Sequence, residues 1–193
     1  GFAARIFMVS VPTIATSLNA DILAISWALI AYQLAGISLS VVFGRLGDLY
    51  GRYTLYGLGF AVMAASSLLC GLAPSVLALI VFRTVQGIGA AMTTSVARVL
   101  AMDAMPGAEG KANGFMTMAY HVGFLLGPPI GGLVIDLVSW RWIFFLLTPV
   151  ALLGAALMAP AIAPTTAGAQ IVPRNARIII GFPAGGSSDI VAR

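Results

Sequence analysis

The run ILAISWALIAYQLAGISLSVVF, residues 22–43, contains no charged residue and is followed directly by GRLGDLYGR, residues 44–52. An apolar run of about 20 residues is long enough to cross the hydrocarbon core of a bilayer as a helix. Because charged residues are rare in this chain, the charged stretch 44–52 predicts a turn at the membrane surface. These adjoining stretches therefore indicate a membrane-spanning helix and the loop that ends it.

Apolar stretches of similar length recur along the chain. The sequence GLAPS at 71–75 divides the uncharged run 53–82 into two spans, of which the second reaches 97, and further runs follow at 112–135 and 142–159. The first run, 2–18, is short and contains Arg5 and Pro12, so we interpret helix one as truncated. We therefore predict an all-α membrane protein with six transmembrane helices in residues 1–159, followed by a short non-membrane linker or tail, 160–193.

The composition supports a lipid environment. The 193 residues are 60% hydrophobic and 8% charged, whereas soluble domains carry roughly a quarter charged residues. This balance argues against an enzyme with a water-filled cleft, and a net charge of +4 is too small and too scattered for a nucleic-acid surface. With one cysteine, Cys70, and one histidine, His121, there is no metal-ligand spacing. We expect neither a metal nor a cofactor.

The basic residues predict the orientation of the helices. If helix one starts inside, the inner loops hold Arg45, Arg52, Arg98 and Lys111, and the outer loops hold only Arg141. Cytoplasmic loops of membrane proteins carry an excess of lysine and arginine. We therefore expect a multi-pass protein with its N-terminus inside.

The segment 44–52 is the first of three motifs. Gly44 and Gly51 allow a short loop and close approach of helix ends. Asp48 places an acid where helix ends and basic residues such as Arg52 meet. The alternative interpretation is a solvated tight turn without further function.

The second motif surrounds Arg83 in the middle of helix four. An arginine at that depth costs about 2.5–3.5 kcal/mol on insertion scales, so it should face a cavity and find a partner. Gln86 lies about one turn further on the same face. Arg83 and Gln86 therefore indicate either a transport site or a buried polar link between helices.

The third motif lies on helix five. Gly123, Gly127 and Gly131 recur every four residues and predict a smooth face for close helix contact. Pro128 and the proline after it remove backbone donors, and Gly132 follows within one turn. A bent helix with a flat face suits a hinge between moving bundles, although plain helix packing explains the same pattern.

The order, spacing and helix placement of these motifs resemble the major facilitator superfamily, in particular the N-terminal half of its fourteen-helix drug:proton antiporter branch. Such a half is built from two inverted repeats of three helices, and two halves together work by alternating access. The resemblance implies proton-coupled efflux of hydrophobic, drug-like compounds across a bacterial inner membrane, with the lipid bilayer, protons and a C-terminal half as partners. The alternative within the same superfamily is an importer of a small solute, which the helix-five motif disfavours.

The resemblance also implies roles for the three motifs. Four residues would belong to an inner gate: Gly44, Asp48, Gly51 and Arg52. Arg83 with Gln86 would take part in transport and proton coupling, and 123–132 would be the antiporter hinge. The branch usually carries an aspartate early in helix one, where this chain has Ala-Ala-Arg at 3–5. The proton-coupling carboxylate is therefore not apparent in these spans.

The tail differs in character from the membrane segments. Residues 152–170 are apolar and end in an A-x-A-like pattern typical of a signal-peptide cleavage site. Residues 174–193 resemble the start of a periplasmic receptor of the tripartite tricarboxylate transporter family, in which a glycine-rich loop helps to hold a carboxylate. This resemblance implies, as a further alternative, a chimera with a periplasmic carboxylate-binding receptor.

Overall fold

The computed structural model describes residues 2–162, with side chains described for 6–160. The regular secondary structure of this part of the chain is all α-helix, with short connections between the helices and no β-strand, which confirms the predicted all-α class with six helices. The proposed receptor start at 174–193 lies outside the described residues. The helices are α1 (Phe2–Ser17), α2 (Ile22–Tyr50), α3 (Arg52–Gly71), α4 (Val76–Asp103), α5 (Glu109–Leu137) and α6 (Arg141–Ile162).

The turn between α2 and α3 is much shorter than the sequence predicted. Residues 44–50 continue α2, and the chain leaves the helix only at Gly51, whose φ is 98°. The expected loop at 44–52 is therefore wrong for most of its length, because charged residues are compatible with the last turns of a helix that reaches the membrane surface. At Gly51 a glycine is required by the positive φ, which is unfavourable for residues with a Cβ. At Gly47 the packing favours glycine, since a Cβ there would lie 2.6 Å from Val96 Cγ1.

Five of the six helices, α2 to α6, are long and apolar enough to cross a membrane by length and composition. In α1 the apolar part, Ile6–Ser17, is shorter, as the sequence predicted for the first span. Large apolar side chains such as Leu34, Ile37 and Val41 are exposed on the outside of the bundle. Apolar surface of this extent is uncommon on soluble monomers and fits contact with lipid.

Helix α4 is the centre of the bundle. It packs most extensively against α2 and α3, while α3 also packs against α6 and α1 against α5. Each of the helices α1 to α3 thus packs mainly against one or two of the helices α4 to α6. This is expected when two repeats of three helices pack together in one bundle. At the α3–α4 crossing a Cβ on Gly89 would lie 2.9 Å from the carbonyl oxygen of Gly59, so glycine at both positions lets the two backbones approach closely.

The larger apolar cluster lies among α1, α2, α3, α4 and α6. Phe7 and Phe144 are fully buried in it, with their ring centroids 6.1 Å apart. Trp140 Nε1 donates a hydrogen bond to Ser17 Oγ at 3.0 Å, which links the end of α1 to the segment between α5 and α6. This packing fixes the rings that surround Arg83.

Candidate functional site

Arg83 is completely buried inside the bundle. Its guanidinium carbon lies 3.8 Å from the ring centroid of Phe7, 5.0 Å from that of Tyr32 and 5.4 Å from that of Phe144. These rings come from α1, α2 and α6, so four helices converge on one charge. Aromatic faces attract a cation through their quadrupole, by about 2 kcal/mol or more when the pair is desolvated.

A chain of hydrogen bonds connects Arg83 to α3. Arg83 Nη1 donates to Gln86 Oε1 at 2.7 Å, and Gln86 Nε2 donates to Ser67 Oγ at 2.7 Å. A hydrogen bond to a charged group contributes about 1.5–3 kcal/mol. Together with the aromatic contacts, this is similar to the cost of about 2.5–3.5 kcal/mol for placing an arginine at mid-membrane.

Two donors of the guanidinium remain unsatisfied. Arg83 Nε and Nη2 are buried and have no hydrogen-bond partner within the described part of the chain. The prediction that Gln86 lies on the same face as Arg83 is confirmed, and Gln86 accepts a hydrogen bond from the Arg83 guanidinium. The expectation that Arg83 faces a cavity is not met, because the surrounding rings enclose it and neither of the two described cavities is lined by it.

A second polar cluster lies where α2, α3 and α4 end or begin. Arg52 donates to Asp48 Oδ1 from Nη2 at 2.9 Å and from Nε at 3.1 Å, and to Asp103 Oδ2 from Nη1 at 2.9 Å. All three side chains are exposed by a third or more. Exposed ion pairs contribute about 0–1 kcal/mol each, so this bridge is weak enough to open and close.

Two of the four motif glycines on α5 are buried against neighbouring residues, and the other two are partly exposed. Gly127 and Gly131 are buried, and a Cβ on Gly131 would lie 2.7 Å from Ile6 Cγ2 of α1. Gly132 has open space at its Cβ position, and Gly123 is partly exposed. Helix α5 continues as one helix through Pro128. The glycine face is therefore a contact with α1 along part of its length, and its role as a hinge stays a prediction.

A cavity of about 410 Å³ opens between α4 and α5, on a different side of α4 from its contacts with α3. Helix α5 is the helix with the smallest share of its span buried. The lining combines a cation, two hydroxyls, a phenol and apolar side chains. Its residues are Thr94, Ala97 and Arg98 from α4 and Met116, Thr117 and Tyr120 from α5.

These features define a polytopic membrane protein with a buried basic centre, the class to which transporters belong. The profile of the Major Facilitator Superfamily matches residues 1–182 of the chain. The chain therefore belongs to this superfamily, and the described helices form half of a major facilitator fold. The match extends into the predicted tail.

Three relatives illustrate the similarity. Multidrug transporter protein MdtP of Bacillus subtilis is 33% identical over 135 residues, 69% of this chain and 25% of MdtP. Multidrug resistance protein Stp of Mycobacterium tuberculosis is 34% identical over 148 residues, 76% of this chain and 28% of Stp. Riboflavin transporter RibZ of Clostridioides difficile is 32% identical over 143 residues, 74% of this chain and 31% of RibZ. The chain thus spans between a quarter and a third of the length of these relatives.

Sequence reasoning missed several residues of both clusters. Asp103 is the second partner of Arg52, and its position in the last turn of α4, near the basic helix ends, was the signal that could have revealed it. Ser67 and the rings of Phe7 and Phe144 carry no comparable signal, because apolar positions in a membrane helix look alike in sequence. Only the packing of four helices brings them to Arg83.

Proposed function

We propose that the chain is the N-terminal half of a secondary active exporter that expels hydrophobic, drug-like compounds in exchange for protons by alternating access. The observation that carries this proposal is the buried guanidinium of Arg83, with two unsatisfied donors inside a membrane bundle. Polar groups at such depth are costly and typical of substrate or ion pathways. Two of the three relatives described above carry multidrug transport or resistance in their names.

We assign roles to the site residues, and the contacts described above support them. Arg83 and Gln86 take part in proton coupling. When the bundle rearranges, the unpaired Nε and Nη2 of Arg83 would donate hydrogen bonds to a carboxylate. The exposed bridge of Asp48, Arg52 and Asp103 acts as a gate at one end of α2, α3 and α4, with Gly44 and Gly51 in the same segment. The hinge function belongs to Gly123, Gly127, Pro128, Gly131 and Gly132.

Transport requires a second six-helix half, because alternating access depends on two halves that rock around a central site. The partners are then this second half, the lipid bilayer, protons and a small hydrophobic substrate. We place the protein in a bacterial inner membrane with its N-terminus inside, since the end of the bundle with Arg45, Arg52, Arg98 and Lys111 is the more basic one. Cysteine labelling at Lys111 and at Arg141 tests this orientation: impermeant reagent added outside should reach only position 141.

Efflux measurements test the function. In cells that lack other exporters and produce the complete transporter, Arg83→Ala should abolish efflux of a neutral dye such as Nile red while membrane insertion stays normal. Arg83→Lys should keep part of the activity, because it keeps the charge but not the planar fork. Lys111→Ala is the matched control, since Lys111 is exposed on α5 and outside both clusters. Efflux by the Arg83→Ala variant at the wild-type rate would refute the proposed role.

The second candidate is an importer of a small solute, which the similarity to riboflavin transporter RibZ favours. The two functions differ in direction. Everted vesicles with an acidic interior should accumulate dye if the protein exchanges substrate for protons, and nigericin should stop the accumulation. Proton-driven uptake of a solute into right-side-out vesicles, without dye export, would instead support the importer.

A further inference from the structure

We infer that the cavity between α4 and α5 binds the negatively charged group of an amphiphilic substrate, with Arg98 as its counter-ion. This inference deepens the proposed function and rests on it, because it specifies the chemical class of the exported compound. The ligand carries a carboxylate or phosphate on an apolar body.

The cavity has the size and composition of a small-molecule site. Its volume of about 410 Å³ lies within the roughly 300–1,000 Å³ typical of ligand pockets. Met116 and the ring of Tyr120 offer apolar contact for the body of a ligand, while Arg98 marks one polar position. Such a combination of apolar lining and few polar groups orients a ligand by its charged end.

Arg98 is available to bind an anion. Within residues 6–160 both ion pairs belong to Arg52, and Arg98 has no carboxylate partner. The planar fork of arginine matches a carboxylate or phosphate in two parallel hydrogen bonds. Arg98 is exposed at the cavity, and the apolar walls beside it concentrate its field on an anion bound there.

Two hydroxyl groups of the lining can donate hydrogen bonds to the carboxylate or phosphate of the ligand. Neither Thr117 nor Tyr120 has a hydrogen-bond partner for its hydroxyl in the described part of the chain, so both can donate to a ligand oxygen. Thr94 differs, because its hydroxyl already donates to the carbonyl oxygen of Ala90 at 2.7 Å and can only accept a further bond. The donors around the cavity thus exceed the acceptors, which again favours an anion.

The distribution of acids argues against a cationic ligand in this half. No carboxylate lines the cavity. Within the described residues every acid lies at a helix end or in its first or last turn, away from the middle of the spans. An ammonium group in the cavity would therefore meet Arg98 without any opposite charge, and like charges in such a site select against the ligand. These acids are Asp21, Asp48, Asp103, Glu109 and Asp136.

Binding of three pyrene derivatives tests the inference. Pyrenebutyrate, pyrenebutanol and pyrenebutylamine share one apolar body and differ in the charge of the head group. The full 193-residue chain is reconstituted in phosphatidylcholine nanodiscs, and energy transfer from tryptophan to pyrene reports binding, with empty nanodiscs subtracted. We expect pyrenebutyrate to bind more tightly than pyrenebutylamine. Equal affinities for the two would overturn the inference without any variant.

Variants of Arg98 test whether this residue causes the preference for the anionic ligand. Arg98→Gln should weaken pyrenebutyrate binding by about tenfold or more, the effect of losing a charged hydrogen bond, and leave pyrenebutanol binding unchanged within about twofold. Arg98→Lys should retain the preference for the anion. The matched control is Arg45→Gln, an exposed arginine on α2 that does not line the cavity. Undiminished pyrenebutyrate binding by a helical Arg98→Gln variant would refute the assignment.

A further comparison separates two sources of the anion. If a lipid headgroup occupies the cavity, phosphatidylglycerol in the nanodiscs should weaken pyrenebutyrate binding more than the repulsion measured with empty nanodiscs of the same composition. If the ligand is a free solute, binding should weaken by no more than that repulsion. The first result would overturn the assignment to an exported substrate, and the second supports it. Because this assay measures binding and not transport, loss of the proposed efflux function would not alter it, and loss of anion selectivity would leave the efflux result intact.

Discussion

Replacing Gln86 with leucine removes the hydrogen-bond acceptor that Arg83 has among the described residues. The leucine side chain has a similar volume, so the change removes polarity more than packing. Arg83 Nη1 then joins Nε and Nη2 as a buried donor without a partner. Leaving a buried charged group without its hydrogen bond costs more than the average hydrogen bond contributes.

The expected loss of stability is about 2–3 kcal/mol for Gln86→Leu, within the range for hydrogen bonds to charged groups. Gln86→Glu should lie within about 1 kcal/mol of the wild type, because a buried ion pair gains attraction and loses solvation in similar amounts. In that variant a carboxylate oxygen replaces Oε1 beside Arg83, and the hydroxyl of Ser67 can rotate to donate to the other oxygen.

Unfolding of the purified chain in mild detergent, titrated with sodium dodecyl sulfate and followed by circular dichroism, measures these differences. Gln33→Leu serves as the matched control, since Gln33 is exposed on α2 and the same substitution there should not destabilise the bundle. A Gln86→Leu variant within about 0.5 kcal/mol of the wild type would refute the reasoning, because that is the scatter of ordinary surface substitutions. Equal destabilisation by Gln86→Glu and Gln86→Leu would also contradict it.

Three further predictions concern other parts of the bundle. Asp103→Asn should weaken the bridge to Arg52 and change the unfolding free energy by no more than about 1 kcal/mol, while changing the transport rate of the complete protein; an unchanged rate would make the bridge structural only. Gly59→Leu should destabilise the chain by about 1–3 kcal/mol through overpacking at the α3–α4 crossing, measured by the same detergent titration. Trp140→Phe removes the bond to Ser17 but keeps an aromatic ring, so about 1 kcal/mol should be lost; no change in the titration midpoint would show that this bond contributes nothing.

The sequence located the site residues on their helices but not all of their neighbours. Arg83 and Gln86 are three residues apart, so helical periodicity alone predicted that they share a face, and the structure shows that they are also hydrogen-bonded. The predicted turn at 44–52 was too long, because charged residues indicate where the chain reaches the membrane surface and do not indicate where the helix ends. Helix α2 extends to Tyr50, which brings Asp48 within 2.9 Å of Arg52 at i, i+4 spacing.

The sequence by itself determined that this is a six-helix membrane protein with a costly arginine in helix four, since hydrophobic length and the scarcity of charge depend on local composition. Only the tertiary structure decided which surroundings Arg83 has. The rings of Phe7 and Phe144 approach Arg83 from segments far apart in sequence. Arg98 of α4 and Tyr120 of α5 line the same cavity. Periodicity describes one helix at a time, whereas an aromatic enclosure or a cavity depends on how helices pack against each other.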